Sequence, residues 1–235
     1  MSWHTDLPEA VRAAVGRLLE SPELPNGCAA FDADGTLWAG DLGELLLKAM
    51  IGLGRAPADA WPRYEALLEV DAPAACAYCV ELLRGCSQQE VLQWSQELVR
   101  AALHAPLHPP LLELARELSR RGCEVWIVSG SNAWSVRTAV AELGLDEGRV
   151  LALTCGVEGG RLTGEVALPV TCARGKVDAL RAATARPLLL AAGNAHYDLA
   201  LLEHARLPLV VAPRGRLSAM RELAQARGWS VVEVG

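Results

Sequence analysis

Two aspartates stand two residues apart in the stretch FDADGTLW, which begins at Phe31. They end the apolar run CAAF and are followed by Gly35 and Thr36. Carboxylates that converge at the end of a buried segment repel one another and lose hydration unless a cation neutralises them. The pattern therefore indicates a hard divalent cation such as Mg2+ beside Asp32 and Asp34. A strand end with an ordinary Asx turn is the simpler alternative, because Asp, Gly and Thr are common in turns.

Polar residues also end two later apolar runs. Ser129 follows VWIV, and Asn194 follows LLLAAG, with Asp198 four residues further on. Lys176 begins a helical pattern in ARGKVDAL. The carboxyl ends of parallel strands share one edge of a sheet, where connecting loops converge and ligands bind. We therefore expect these side chains to lie near Asp32.

The order of these segments resembles the haloacid dehalogenase superfamily of phosphohydrolases. That family has an Asp-x-Asp-Gly-Thr motif after its first strand, a Ser or Thr at the end of the next, a Lys at a later helix start, and an acidic fourth motif. The matching segments here are DADGT at Asp32, VSGS at Ser129, ARGK at Lys176 and GNAHYD at Gly193. They occur in the family's order and cover the chain from about Cys28 to Leu202.

The resemblance implies hydrolysis through an aspartyl-phosphate. Asp32 would be the nucleophile that attacks phosphorus. Asp34 would protonate the leaving oxygen and then deprotonate the attacking water. Thr36, Ser129 and Lys176 would bind the phosphoryl oxygens and stabilise the charge that develops on them.

The resemblance also implies Mg2+ as cofactor, held by Asp32, the backbone carbonyl of Asp34, Asn194 and Asp198. Position 194 departs from the commonest family pattern, which has Asp there. An amide oxygen can still ligate Mg2+, but the site loses one negative charge, so we expect weaker metal binding. Two alternatives stay open: a phosphoryl-binding or regulatory module with negligible turnover, and a dehalogenase, for which Asp34 and an acidic fourth motif would serve no purpose.

A helical block after the first motif resembles the cap of the phosphoserine-phosphatase-like branch, which closes over the site and excludes water. In phosphoserine phosphatases an acidic residue nine positions after the nucleophile binds the substrate ammonium, and Asp41 has this position. It is therefore the expected specificity residue. No residue convincingly matches the arginine that grips the serine carboxylate, although Arg55 and Arg63 lie in the block.

Aromatic residues in or beside this block indicate a second class of substrate. Tryptophan faces attract quaternary ammonium groups, so phosphocholine or phosphoethanolamine is an alternative to phosphoserine. The simpler interpretation is that these rings fill the core of the cap. The residues concerned are Trp38, Trp61, Tyr64, Trp94 and Trp134.

Short apolar runs alternate with helical patterns at Cys28 to Phe31, Glu124 to Val128, Leu188 to Ala192 and Leu209 to Val211. This alternation predicts an α/β fold with a doubly wound, Rossmann-like parallel sheet. Only helical patterns occur in the block at 41–105, which predicts an inserted α-helical cap domain there and an α/β core domain from 1–40 and 106–235. The segment 149–166, with the turn Gly159-Gly160, predicts a small β-hairpin inserted at the sheet edge.

The chain has 235 residues, of which 51% are hydrophobic and 21% charged, as in ordinary globular proteins. Its net charge of −6 and scattered basic residues argue against nucleic acid or an acidic membrane as partner. The partner that the resemblance implies is a small phosphorylated metabolite. Seven cysteines, an odd number, and no export signal predict reduced thiols and a cytoplasmic location. Cys76 and Cys79 with His104 and His108 imitate zinc ligands, but their spacing favours buried thiols. The oligomeric state stays unpredicted.

Overall fold

A parallel sheet of six strands forms the centre of the molecule. The computed structural model describes residues 7–104 and 106–235. Along the chain the strands are β1 Cys28–Phe31, β2 Glu124–Asn132, β3 Val150–Leu153, β4 Cys155–Glu158, β5 Arg161–Val166, β6 Leu188–Gly193, β7 Leu207–Pro213 and β8 Ser230–Val234. The main sheet has the order β3-β2-β1-β6-β7-β8, with every neighbouring pair parallel, and β4 pairs with β5 separately. This order confirms the predicted Rossmann-like sheet.

Helices pack on both faces of the sheet. In chain order the helices are α1 Glu9–Leu19, α2 Leu42–Gly52, α3 Ala60–Val70, α4 Ala72–Glu81, α5 Gln88–Ala102, α6 Pro109–Arg120, α7 Ala133–Glu142, α8 Arg174–Ala183, α9 Leu199–His204 and α10 Ala219–Arg227. Alternate residues of β1 face opposite sides, because side chains alternate along a strand. Phe31 packs in one apolar cluster with α1, α6 and α7, and Ala30 packs in another with α8, α9 and α10. The sheet is therefore doubly wound.

The four helices α2 to α5 form a helical insert between β1 and β2, spanning 42–102. Their buried residues form an apolar cluster of their own, which includes Leu47, Tyr64 and Val91 and also takes in Leu162 of β5. The two chain segments that connect the insert to the sheet lie side by side. The N–H of Ala39 donates to the carbonyl oxygen of Pro106 at 2.9 Å, and Trp38 pairs with Leu107 in an antiparallel bridge. The division into a core domain and a cap domain stays a prediction, and residues 1–6 and 105, which fall within it, lie outside the described residues.

The segment 149–166, predicted as one hairpin, contributes to two different sheets. Its first part is β3, which pairs in parallel with β2 at the edge of the main sheet. Only β4 and β5 form the antiparallel hairpin, and they make a separate sheet packed against the insert. The turn between them has positive φ at Gly159 and Gly160, as the sequence predicts. No helix in the described part of the chain is long and apolar enough to cross a membrane.

Candidate active site

The polar residues predicted from the sequence meet at the carboxyl edge of the sheet, where the strand order switches between β1 and β6. Asp32 follows β1, Ser129 lies in β2, Asn194 follows β6, and Lys176 lies in the first turn of α8. They line one cavity of about 330 Å³, which suits a small metabolite. The insert covers this cavity, because residues of α2, α3 and α4 line its other side.

Lys176 lies between two carboxylates. Its Nζ is 2.6 Å from Asp32 Oδ1 and 2.6 Å from Asp198 Oδ1, and only 3% of the lysine is exposed. The two negative charges outweigh desolvation and raise its pKa, so the lysine stays protonated. Gly175 permits this placement, since a Cβ there would lie 1.8 Å from Val170 O. The helix start that carries Lys176 therefore depends on a glycine directly before it.

Asp32 uses both of its oxygens in this arrangement. Oδ1 pairs with Lys176, and Oδ2 accepts a hydrogen bond from Thr36 Oγ1 at 3.0 Å. Burial, with the charge of Asp198 added to it, raises the pKa of Asp32 to about 7 although Lys176 opposes the shift. A carboxylate held in one orientation, buried and next to a fixed cation can act as a nucleophile at the cavity wall.

Asp34 is held by three donors. Its Oδ1 accepts from Trp38 Nε1 at 2.9 Å and from the N–H of Leu42 at 2.8 Å, and its Oδ2 accepts from Ser131 Oγ at 2.7 Å. Burial raises its pKa despite these bonds. A carboxyl group with a raised pKa is suited to hold and release a proton. The Ser129 hydroxyl lies beside Asp34 and Ser131, at 3.5 Å from Asp34 Oδ2.

Trp38 and Ser131 are contributions that sequence reasoning missed. The sequence predicts Trp38 either as an aromatic face or as a packing residue, whereas its ring is 1% exposed and its N–H donates to Asp34. The signal for Ser131 is its spacing from Ser129, because residues two apart in a strand share a face. Ser131 Oγ also accepts from the N–H of Gly43, so it connects β2 to the start of α2.

The oxygens near Asn194 fit a hard cation. The end of the Asn194 amide lies 3.1 Å from both Asp32 Oδ2 and the backbone carbonyl oxygen of Asp34. With its oxygen there, three oxygens surround one position, which suits Mg2+. With its nitrogen there, the amide donates to both groups instead. In the described part of the chain no three acidic, histidine or cysteine side chains form a metal site, so a carbonyl and an amide would complete this one.

Charge also favours a cation in this place. Asp32, Asp34 and Asp198 are three carboxyl groups around a single ammonium, that of Lys176. Ionised together they leave an excess of negative charge in a buried site, which is costly without a counterion. A divalent cation would neutralise that excess. The donor set and the charge therefore both fit Mg2+.

Asp198 is engaged by the protein on both oxygens. Its Oδ1 binds Lys176, and its Oδ2 accepts from the N–H groups of Asn194 at 3.0 Å and Ala195 at 2.9 Å. The carboxylate thereby holds the loop after β6 in place. We propose for it an indirect role at the metal, through the position of Asn194, and not a direct bond.

The side of the cavity that faces the insert is acidic and aromatic. Asp41 and Glu44 of the α2 start, Tyr64 of α3, and Tyr197 after β6 line it. Asp41 also caps α2, because its Oδ1 accepts from Glu44 N–H at 2.8 Å. Burial and the charge of Asp34 raise the pKa of Asp41 to about 8. A cation in the cavity would relieve this cost.

The residues that the sequence offered for other substrate contacts lie elsewhere. Arg55 pairs with Glu90 on the surface, and Arg63 lies over the Tyr78 ring. The tryptophans proposed as a cage, Trp38, Trp61, Trp94 and Trp134, are not among the residues that line the cavity, whereas Tyr64 is. The simpler interpretation of those tryptophans, as packing residues, therefore fits the structure.

Comparison with known proteins places the chain in a family. The model of the haloacid dehalogenase-like hydrolases matches residues 29–203. Among solved structures, a protein with unknown function from Bordetella pertussis Tohama I has a TM-score of 0.72 at 24% identity over 87% of this chain and 97% of its own. A functionally unknown protein from Anaerococcus prevotii DSM 20548 has a TM-score of 0.69 at 16% identity, covering 98% and 92%.

A phosphoserine phosphatase solved as a phospho-aspartyl intermediate analogue has a TM-score of 0.57 at 21% identity, over 79% of this chain and 86% of its own. These TM-scores show a shared fold, and at identities below 25% they show the fold alone. No curated protein matches the chain. Because the family model spans well over half of the sequence, including all four predicted motifs, the chain belongs to the haloacid dehalogenase-like hydrolases.

Proposed function

We propose that the protein is a Mg2+-dependent phosphomonoesterase that hydrolyses a small phosphorylated metabolite through an aspartyl-phosphate on Asp32. The observation that carries the proposal is the buried set at the cavity wall, in which Lys176 and Thr36 hold Asp32 and three donors hold Asp34 beside it. This arrangement supplies a fixed nucleophile, a fixed cation and a group with a raised pKa within one small cavity.

The chemistry divides into two displacements. Asp32 attacks phosphorus, the bond from phosphorus to the ester oxygen breaks, and Asp34 gives its proton to that oxygen. Asp34 then takes a proton from water, whose oxygen attacks phosphorus and breaks the bond to Asp32. Lys176 and Ser129 bind the phosphoryl oxygens throughout, whereas Thr36, predicted for the same role, is fully buried outside the cavity lining and holds Asp32 instead. Mg2+, held by Asp32, the Asp34 carbonyl and Asn194, would neutralise phosphoryl charge.

The lining of the cavity favours a substrate with a cationic head group and no carboxylate. Asp41 and Glu44 offer two carboxyl groups, and Tyr64 and Tyr197 add aromatic faces. Lys176 is the one basic residue among the lining residues of the described chain, and both of its partners are already carboxylates. Phosphoethanolamine or phosphocholine therefore fits better than phosphoserine, whose carboxylate would need a further cation.

A second candidate is a phosphoryl-binding module with little turnover, and one observation favours it. The Asn194 amide can donate hydrogen bonds to Asp32 and to the Asp34 carbonyl, so it can satisfy the ligand atoms without a metal. Such a protein would bind a phosphorylated compound through Lys176 and hydrolyse it slowly or not at all.

Phosphate release from a panel of small esters tests the proposal. The panel contains phosphoethanolamine, phosphocholine, phosphoserine and an aryl phosphate, each with Mg2+ and with chelator. We expect Mg2+-dependent release, fastest from the first two, and loss of at least about a thousandfold in Asp32→Asn. Asp178→Asn is the matched control, because it makes the same change at an exposed position of α8. Release in chelator, or unchanged release from Asp32→Asn, would contradict the proposal. Ester binding without release would favour the binding module.

A further inference from the structure

Two cysteines face each other across the boundary between the helical insert and the sheet. Cys76 lies on α4 of the insert, and Cys172 lies in the segment that leads into α8 and Lys176. Both line the active-site cavity, together with Cys79. Every cysteine in the chain is a free thiol. The hydrolysis proposed above uses none of them.

The two thiols approach each other over Gly130. A Cβ at that position would lie 3.1 Å from Cys76 Sγ and 3.8 Å from Cys172 Cβ. Because Gly130 has no side chain, both cysteine side chains can approach the strand at this point. The interaction between the two thiols raises the pKa of Cys76 and lowers that of Cys172. The ammonium of Lys176 lowers the pKa of Cys172 further.

This pair differs from the other cysteines. Cys28 and Cys123 are also neighbours, but they lie in the sheet core, 0% and 2% exposed, outside the cavity, and burial raises the pKa of both. Cys79 lines the cavity, and burial raises its pKa to about 12. Among these thiols Cys172 is the one whose surroundings favour the thiolate, which is the form that reacts with oxidants. Cys76, its neighbour beside Gly130, is placed to resolve the oxidised form.

We propose that Cys76 and Cys172 are an oxidation site, which a peroxide converts to a disulfide that joins the helical insert to the core and stops turnover. The Cys172 sulfur attacks one peroxide oxygen, the O–O bond breaks, and the departing hydroxide combines with the thiol proton as water. The Cys76 sulfur then attacks the Cys172 sulfur, and the hydroxyl group leaves with the Cys76 proton as a second water. Two thiols are oxidised by two electrons, and one peroxide is reduced to two waters.

The disulfide would act on access to the site. Substrate must enter, and product must leave, a cavity that lies between the insert and the core. A covalent bond from α4 to the segment before α8 holds those two surfaces together and crosses the cavity wall. A dithiol reductant reverses the bond by thiol–disulfide exchange and restores access. The effect on turnover rests on the proposed phosphatase function, whereas formation of the bond does not.

Peptide mapping by mass spectrometry after hydrogen peroxide treatment tests the bond itself. We expect a linked Cys76–Cys172 peptide in the wild-type chain and in Cys79→Ser, and none in Cys76→Ser or Cys172→Ser. Cys28 and Cys123 should stay alkylatable after unfolding and serve as internal references. A map in which Cys76 and Cys172 stay free, or pair with other cysteines, overturns the inference and leaves the proposed function untouched.

Phosphate release by the same samples tests the consequence. We expect oxidation to lower release from wild type and Cys79→Ser by about tenfold or more, and dithiothreitol to restore it. The ratio of oxidised to reduced activity should stay near one in Cys76→Ser. A linked peptide with undiminished release would overturn the regulatory part of the inference. A reduced protein that releases no phosphate contradicts the proposed function instead, and the peptide map then decides the inference alone.

Discussion

At position 194 an amide lies where a carboxylate would give the site one more negative charge. Its end is 3.1 Å from Asp32 Oδ2, so Asn194→Asp would bring two like charges together unless a cation lies between them. We expect this variant to bind Mg2+ about tenfold more tightly, a gain of about 1.4 kcal/mol, and to be less stable without metal. Activity at saturating Mg2+ should change little.

Titration calorimetry with Mg2+ measures this change. Asn26→Asp is the matched control, because it adds the same charge at an exposed position. Equal or weaker Mg2+ binding by Asn194→Asp would contradict the proposed ligand set.

The ionisation of Asp41 should control recognition of a cationic substrate. Its pKa is about 8 because it is buried and close to Asp34, so at neutral pH most of the carboxyl is protonated and uncharged. Raising the pH through about 8 ionises it, while an alkyl ammonium with a pKa of about 10 keeps its charge. We therefore expect KM for phosphoethanolamine to fall as the pH rises through this range.

Steady-state kinetics on two substrates separates this effect from others. An alkyl phosphate without an amino group should show no such fall in KM, and Asp41→Asn should remove it for phosphoethanolamine. The same pH dependence for both substrates would show that another group titrates.

Residue types and order in the sequence were enough to predict most of the side chains that share the cavity; Thr36 is the exception, because it is fully buried and does not line it. Asp32, Ser129, Lys176 and Asn194 lie at strand ends or a helix start, and a parallel sheet brings such positions to one edge. The partners of Asp34 were not predictable in the same way. Whether an indole presents its face or its N–H depends on the ring orientation, which packing decides. The sequence therefore predicts the burial of Trp38 but not its N–H contact with Asp34.

Among the elements, the two chain segments that lead into and out of the insert depend on His108. This residue precedes α6, and it is 6% exposed. Its ring Nδ1 lies 3.0 Å from the carbonyl oxygen of Thr36, and its backbone N–H donates to the carbonyl oxygen of Leu37. The side chain thus ties the start of α6 to the loop that carries Asp34 and Thr36.

The protonation of His108 should make stability depend on pH. Burial lowers its pKa below the ordinary value of about 6.5, so the unfolded chain takes up the proton first as the pH falls. The contribution to stability is full above about 6.5 and is lost at lower pH, as the unfolded state binds more protons than the folded state.

Urea unfolding above and below pH 6.5 measures this contribution. As the pH is lowered through about 6.5, the free energy of unfolding should fall less in His108→Asn than in wild type. His196→Asn, at an exposed position, is the control and should follow wild type. An equal pH dependence for His108→Asn and wild type would contradict the assignment.

The short loop after β6 is held by the side chain of Asp198, as the loop that carries Thr36 is held by that of His108. Asp198→Ala leaves the N–H groups of Asn194 and Ala195 without their acceptor and removes one of two carboxylates from buried Lys176. We expect a loss of about 3 kcal/mol in the free energy of unfolding, together with weaker Mg2+ binding and lower activity. Urea unfolding compared with Asp178→Asn checks the stability effect. A loss below about 0.5 kcal/mol, as at ordinary surface sites, would contradict it.

For the molecule as a whole, bound Mg2+ should raise stability, because the folded state alone brings its ligands together. At a free concentration of about 100 times its Kd, a ligand adds about 2.7 kcal/mol. For a chain of this length that is a rise of roughly 5 to 10 °C in Tm. Thermal unfolding at constant ionic strength, with NaCl as the control, measures the rise. It should shrink in Asp32→Asn and persist in Asp178→Asn; equal shifts in both would place the Mg2+ elsewhere.

The predictable part of the fold follows from burial. β1, β2, β6 and β7 are apolar runs buried on both faces, so composition alone reveals them. β8 was missed because it is an edge strand in which only Val232 is buried. The sequence predicts β3 as part of a hairpin, because only the single residue Thr154 separates it from β4. Which of two adjacent strands joins the main sheet depends on contacts far away in the sequence.

The paired segments at 37–39 and 106–108 bring both ends of the insert to within hydrogen-bond distance of each other. A chain that leaves a fold and returns at the same point can be lengthened or replaced there without moving the strands on either side. The insert therefore leaves and rejoins the rest of the chain at one place. Under the proposed function, the residues that would carry the reaction lie outside the insert, whereas Asp41, Glu44 and Tyr64, which line the other side of the cavity, lie in the insert or at its start. We therefore expect that replacing the insert at this one place would change the substrate preference and leave the type of reaction unchanged.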